Sequence, residues 1–177
     1  CWAFSATGSM EGLSQLRYGL LSSFSEQQLV DCSTSFGNHG CNGGLPDYAF
    51  KYVMDYGIVI EDLYPYKAKQ AAKCAMPVVR AFQISNFTDV KGCTDLANAL
   101  QQRPISVGVD ASKWSTYKGG VFSDCASNIN HGVTLIGTKD NAWVIKNSWS
   151  SKWGEQGFIR LAAGNTCGVC NLASFPI

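Results

Sequence analysis

The chain has 177 residues, 46% hydrophobic and 15% charged, and its 14 basic and 13 acidic side chains leave a net charge of +1. That is enough chain for one large core or two small ones, and too apolar for a disordered polypeptide. The charges are mixed, so there is no basic stripe for nucleic acid and no polybasic patch for a membrane, and no apolar run approaches the ~18 residues of a spanning helix.

Residues Cys1 to Ser5, Cys-Trp-Ala-Phe-Ser, open the sequence. From Ala3 onward, Ala6, Met10, Leu13, Leu16 and Leu20 recur at helical spacing, which predicts a helix with that apolar face. Gly8 and Gly12 weaken it intrinsically, so tertiary packing must hold it. Cys1 then stands at a helix N-terminus, where the partial positive charge favours a thiolate. Ser25-Glu26-Gln27-Gln28 has the form of a capping box and predicts a short helix to about Asp31. The segment Ser33 to Gly44, rich in Gly, Ser and Asn, reads as a surface loop. A further helix starts with Pro46, packs Ala49, Phe50, Val53 and Met54, and stops at Gly57.

After about Ile84 the pattern changes. Thr94 is the expected N-cap of a helix running to about Gln102, ahead of Pro104. Short β-prone runs follow at Ile105 to Val109, Gly132 to Gly137, Ala142 to Lys146 and Gly157 to Leu161. In Ala142 to Lys146, Trp143 and Ile145 point one way and Val144 and Lys146 the other. A helical half followed by a largely antiparallel half is α+β, with two lobes and a cleft as the natural architecture.

Eight cysteines, at 1, 32, 41, 74, 93, 125, 167 and 170, read as a disulfide framework with a remainder, and favour a secreted, vacuolar or lysosomal setting. The sequence shows no charged leader followed by an apolar core. Asn86-Phe87-Thr88 is a sequon that would accept a glycan on the secretory route. There are two histidines. His39 lies in the glycine-rich loop and reads as solvated. His131 lies just before an apolar strand, and a histidine so placed is more often structural. Its company gives it weight: Asn147-Ser148-Trp149 ends the neighbouring strand. An amide there can orient the imidazole without adding charge, and a packed Trp can keep water from that bond. With the Cys1 thiolate these make a cysteine-nucleophile triad.

At this point the sequence resembles the papain-like cysteine proteases, and within them the cathepsin L type. The cysteine motif with a distant downstream His and Asn is a known signature of that family. The resembling pieces, in family order, are Cys1-Trp2-Ala3-Phe4-Ser5, Ser25 to Cys32, Gly40-Cys41-Asn42-Gly43-Gly44-Leu45, Tyr64-Pro65-Tyr66, Asn130-His131-Gly132, Lys146-Asn147-Ser148-Trp149 and Trp153-Gly154-Glu155-Gln156-Gly157. The resemblance implies a helical lobe over residues 1–85 and a β-rich, antiparallel barrel-like lobe over 86–177. The active site is expected in the cleft between them, with the C-terminal tail crossing from one to the other. It implies an endopeptidase in which Cys1, His131 and Asn147 are catalytic and Trp149 shields the His–Asn contact. Gly43 and Gly44 are expected beside the nucleophile. Leu45, Pro46, Gly108, Ile129, Gly132 and Leu172 should line the pocket for the side chain two residues before the cut. Those residues are apolar or lack a side chain, so a hydrophobic residue is expected there, and Leu172 stands where some relatives carry an acidic residue that would select Arg.

By resemblance Cys32 pairs with Cys74 and Cys125 with Cys167, and the partner of Cys41 belongs to a segment before the nucleophile, as does an oxyanion-hole glutamine. The chain is therefore expected to be a truncated enzyme. Cys93–Cys170 is suggested as an extra disulfide. The alternative for Cys167-Gly168-Val169-Cys170 is a redox or zinc pair, although no second close cysteine pair completes a zinc site. No metal or organic cofactor is implied. The implied partners are peptide or protein substrates, the protein's own prosegment and cystatin-like inhibitors, with no nucleic acid and no membrane, and a monomer is expected. Two other readings stay open. The chain could be an impaired homologue kept as a binding or inhibitory module, or Cys1 could be an N-terminal nucleophile using its own amine as base.

Overall fold

A computed structural model of the chain describes residues 1–75 and 79–177. The chain divides into two compact units, Trp2–Thr88 with Pro176–Ile177, and Cys1 with Asp89–Phe175. The first is helical and the second is built on a sheet, so the fold is α+β.

In the first unit α1 (Trp2–Tyr18) packs against α2 (Glu26–Cys32) and α3 (Pro46–Tyr56). Their core includes Ala6, Met10, Leu13, Leu29, Phe50 and Tyr52, closed by Phe24, Ile58 and Phe82. The expected apolar face of α1 holds only to Leu13. Leu16 and Leu20 are 59% and 62% exposed, because α1 outruns the helices that cover it and ends at Tyr18. At α2 the Ser25 Oγ accepts the Gln28 N–H at 3.0 Å, which is half of the capping box. The reciprocal half is absent: Gln28 Nε2 donates to Tyr52 Oη (3.0 Å), its Oε1 accepts the Val59 N–H (2.9 Å), and the Ser25 N–H goes to Val59 O. Long-range packing has taken over a side chain that local pattern assigned to the cap. The α3 helix begins on Pro46 as expected, and Gly57, at φ 72°, ends it by donating to Val53 O at 2.8 Å.

The sheet of the second unit has the strand order β1-β7-β2-β4-β5-β6-β3. The strands are β1 (Phe87–Val90), β2 (Ile105–Val109), β3 (Val121–Phe122), β4 (His131–Lys139), β5 (Ala142–Lys146), β6 (Phe158–Ala162) and β7 (Ala173–Pro176). β4 pairs antiparallel with β2 and β5, β6 antiparallel with β5, and β7 antiparallel with β2, while β3 joins β6 in parallel. In β5, Trp143 and Ile145 are buried and Lys146 is exposed. β1, β3 and β7 are strands that local pattern did not predict.

α4 (Cys93–Leu100) starts one residue ahead of Thr94, with Gly92 rather than Thr94 as its cap. A covalent tie sets that start: Cys93 is bonded to Cys170, and the Gly92 N–H donates to Cys170 O at 3.1 Å. The other disulfides are Cys32–Cys74 and Cys125–Cys167. Cys167 and Cys170 thus bridge to different partners, which removes the redox-pair or zinc-pair alternative for them. Cys1 and Cys41 lie outside the three bridges.

Candidate active site

His131 opens β4 as the register partner of Val109, and Asn147 follows the last residue of β5. Antiparallel pairing of β4 with β5 brings the two side chains together, and His131 Nε2 lies 2.7 Å from Asn147 Oδ1. The Ser148 N–H donates to the same Oδ1 at 2.8 Å, so that atom is the carbonyl oxygen. An oxygen that only accepts requires His131 Nε2 to carry the proton, which leaves the Nδ1 lone pair on the other side of the ring. The amide fixes the tautomer without a charge.

Three indoles frame this pair. Trp149 lies tilted over His131 with centroids 4.9 Å apart, and Trp114 meets the imidazole edge-on at 6.0 Å. Trp153 contacts Trp149 at 5.3 Å, stacks on Trp114 at 6.0 Å and donates its Nε1–H to Trp114 O at 2.9 Å. Glu155 holds this end of the sheet. It makes a two-pronged ion pair with Arg160 of β6 (2.8 and 2.9 Å) and accepts the Gly120 N–H at 3.2 Å, and its contacts with Arg160 hold its carboxyl at about 2. Trp114 is fully buried, and sequence reasoning missed it. The signal was a lone Trp in the polar run Ser112 to Lys118, where an indole has to find cover elsewhere.

Burial pushes the His131 imidazole below its ordinary value, and the Asn147 hydrogen bond opposes this. Cys1 belongs to the same compact unit as His131, is exposed, and is the residue immediately before α1. That is the position at which a helix dipole favours a thiolate. His39, by contrast, is exposed in its loop.

Of the expected pocket residues, Gly108 and Gly132 are cross-strand partners on β2 and β4. The Gly108 N–H donates to Leu172 O at 2.8 Å, and a Cβ on Gly108 would fall 2.7 Å from Ile129 Cγ2 and 3.2 Å from Leu172 Cδ2. Ile129 and Leu172 therefore both lie over a bare stretch of β2. Gly43, Gly44, Leu45 and Pro46 belong to the first unit; the first three lie between a 3-10 turn (Gly40–Asn42) and α3, which Pro46 opens. There buried Asn38 accepts the Leu45 N–H at 2.9 Å, and a Cβ on Gly44 would fall 2.8 Å from Trp2 Cε2, so the chain passes too close to the indole for any side chain.

The structure thus holds a sheet-borne His–Asn pair under Trp, and a cysteine immediately before α1. The family model described as "Papain family cysteine protease" matches residues 1–177, and the chain belongs to that family. It is 50% identical to "Cathepsin L 2" of Paramecium tetraurelia over 100% of its own length and 57% of that protein, and 41% identical to "Procathepsin L" of Mus musculus over 100% and 58%. Among solved structures it is similar to digestive procathepsin L 3 of Tenebrio molitor larval midgut (TM-score 0.93, 41% identity, 99% of this chain and 62% of that one). It is also similar to the Carica candamarcensis cysteine protease CMS1MS2 in complex with E-64 (TM-score 0.92, 34% identity, 99% and 87%). The chain spans a little over half the length of the curated relatives it matches.

Proposed function

We propose that the protein is a cysteine endopeptidase whose nucleophile is Cys1, whose acid–base group is His131 and whose orienting amide is Asn147. The observation that carries this is the 2.7 Å bond from His131 Nε2–H to Asn147 Oδ1, which leaves Nδ1 as the free base. In the proposed reaction Nδ1 takes the Cys1 thiol proton, and the thiolate attacks the scissile carbonyl. The oxyanion is held by main-chain N–H at the nucleophile. Nδ1–H then protonates the leaving amine, giving a thioester acyl-enzyme. Neutral His131 next takes a proton from water, whose attack releases the acid and regenerates the thiol. Nε2–H stays on Asn147 throughout, and Trp149 shields it.

The substrate is an extended peptide, paired with backbone at Gly43 and Gly44. A hydrophobic residue two before the cut would sit among Leu45, Pro46, Gly108, Ile129, Gly132 and Leu172. Leu172, 45% exposed, is the wall that selects. Replacing it with Glu is expected to shift the kcat/KM ratio of Arg-bearing to Leu-bearing peptides toward Arg by about tenfold, the worth of a half-desolvated ion pair. An unchanged ratio would remove Leu172 from the pocket.

The three disulfides support a lysosomal, vacuolar or secreted setting. The procathepsin and proform relatives support synthesis as a proform held by a prosegment. Cystatin-like inhibitors are further proposed partners, from the family resemblance alone. Labelling with a peptidyl epoxide such as E-64, followed by peptide mapping, tests the reading. A single adduct on Cys1 is expected. An adduct on exposed Cys41 instead, or none, would overturn it in favour of a binding or inhibitory module.

A further inference from the structure

We infer that Asp110 is a positioning residue for His131, a buried carboxylate that fastens together the two loops meeting at the imidazole; this rests on the proposed role of His131. Asp110 directly follows Val109, the register partner of His131, and is 3% exposed. Its Oδ1 accepts the Ser112 Oγ–H (2.7 Å), the Ser112 N–H (3.1 Å) and an Asn130 Nδ2–H (3.3 Å), and its Oδ2 accepts the Asn128 N–H (3.1 Å). Asn130 completes the knot: its Oδ1 accepts the Ala111 N–H at 2.9 Å, its Nδ2 also donates to Ser112 Oγ at 2.9 Å, and its own N–H goes to Val109 O at 3.0 Å.

Both loops tied by this carboxylate end on the catalytic pair. One, from Ala111, leads to Trp114, whose N–H donates to Ala111 O at 3.1 Å and whose ring meets His131 edge-on. The other, Asn128 to Asn130, delivers the chain into β4 at His131 itself. Neither loop is part of the sheet, so the approach of the imidazole to Asn147 is set on one side by β-pairing and on the other by Asp110. Hydrogen bonds from Ser112, with those from Asn128 and Asn130, hold the carboxyl below its ordinary value and keep it an acceptor at all four contacts. An Asn in its place can keep its oxygen toward Ser112 and Asn130, but its NH2 then faces the Asn128 N–H, donor to donor. That frees the loop before His131.

The test compares three variants of the full chain: Asp110→Asn, the exchange Asp110→Asn with Asn130→Asp, and the milder Ser112→Ala. A fluorogenic peptide gives kcat and KM, and the hydrogen-bonded His131 Nε2–H proton is followed by NMR. Asp110→Asn is expected to lower kcat roughly 10- to 100-fold, as a misplaced catalytic group does, and to shift or broaden the Nε2–H resonance. KM is expected to change less than kcat, since of the proposed pocket residues only Ile129 lies in the freed loop. The exchange swaps donor and acceptor across one contact and should recover most of kcat, and Ser112→Ala should change both readouts in the same sense but less. Parental kcat and an unmoved resonance in folded Asp110→Asn, or no recovery in the exchange, would overturn the inference. If Asp110→Asn does not fold, an unmoved resonance in Ser112→Ala does the same. A parent chain without peptidase activity would remove the proposed function, while the resonance still decides the role of Asp110.

Discussion

Replacing His131 with Ala is expected to lower kcat/KM for peptide substrates by about 10⁴-fold or more, the size of loss seen when one member of a catalytic triad is removed. In the proposed reaction the imidazole is needed twice, to take the thiol proton and to return it to the leaving amine. Replacing Asn147 with Ala should cost less, roughly 10- to 100-fold, because the ring survives but loses the contact that fixes its tautomer and tilt. The order of the two effects is diagnostic. If Cys1 used its own amine as base, both substitutions would leave the rate nearly unchanged. Loss of less than tenfold in His131→Ala, with the fold intact by Trp fluorescence, would remove His131 from the chemistry.

What the sequence could show follows the range of the interactions involved. α3 was legible because its start, Pro46, and its stop, Gly57, act on the backbone within a turn of themselves. The cap of α4 was misplaced by two residues, Gly92 for Thr94, because its start is fixed by a disulfide to Cys170, far along the chain. β7 was illegible because Ala173–Pro176 is too short to show a pattern of its own and is a strand through its place between β1 and β2, where Ser174 faces Ser106 and Ala173 faces Val107. Two-residue β3 likewise depends on Arg160 and Leu161. In the proposed site, Cys1, His131 and Asn147 stand in short runs that resemble a family, so they could be proposed from sequence. Asp110 and Trp114 could not, since an Asp after a strand and a Trp in a polar loop gain meaning only from what they touch.

Between pH 5 and pH 8 the chain is expected to lose stability as pH rises, and Glu26 is the cause. It is the first residue of α2, buried, with a carboxyl that accepts the Thr7 hydroxyl. Burial pushes it from about 4.5 to about 7; the Thr7 bond opposes this, and the Glu11 and Glu61 carboxylates add to it. Glu11 accepts the Phe24 N–H at 2.9 Å and Glu61 the Tyr66 N–H at 3.0 Å. Between those two values the native chain holds a proton that the unfolded chain has released. The contribution is therefore complete below about pH 4.5 and is lost as pH rises through about 7, a change of roughly 3 kcal/mol. His131 works in the opposite sense: lowered by burial, it stays neutral while the unfolded chain takes up a proton, so its contribution falls in acid. Glu26→Gln separates the two. The amide oxygen can still accept the Thr7 hydroxyl, and no charge has to be buried above pH 7. Urea unfolding with the disulfides intact, at pH 5 and pH 8, should show the parent losing most of that energy over the interval and the variant losing little or gaining slightly. Equal losses in the two proteins would mean that the burden of high pH lies elsewhere than on α2.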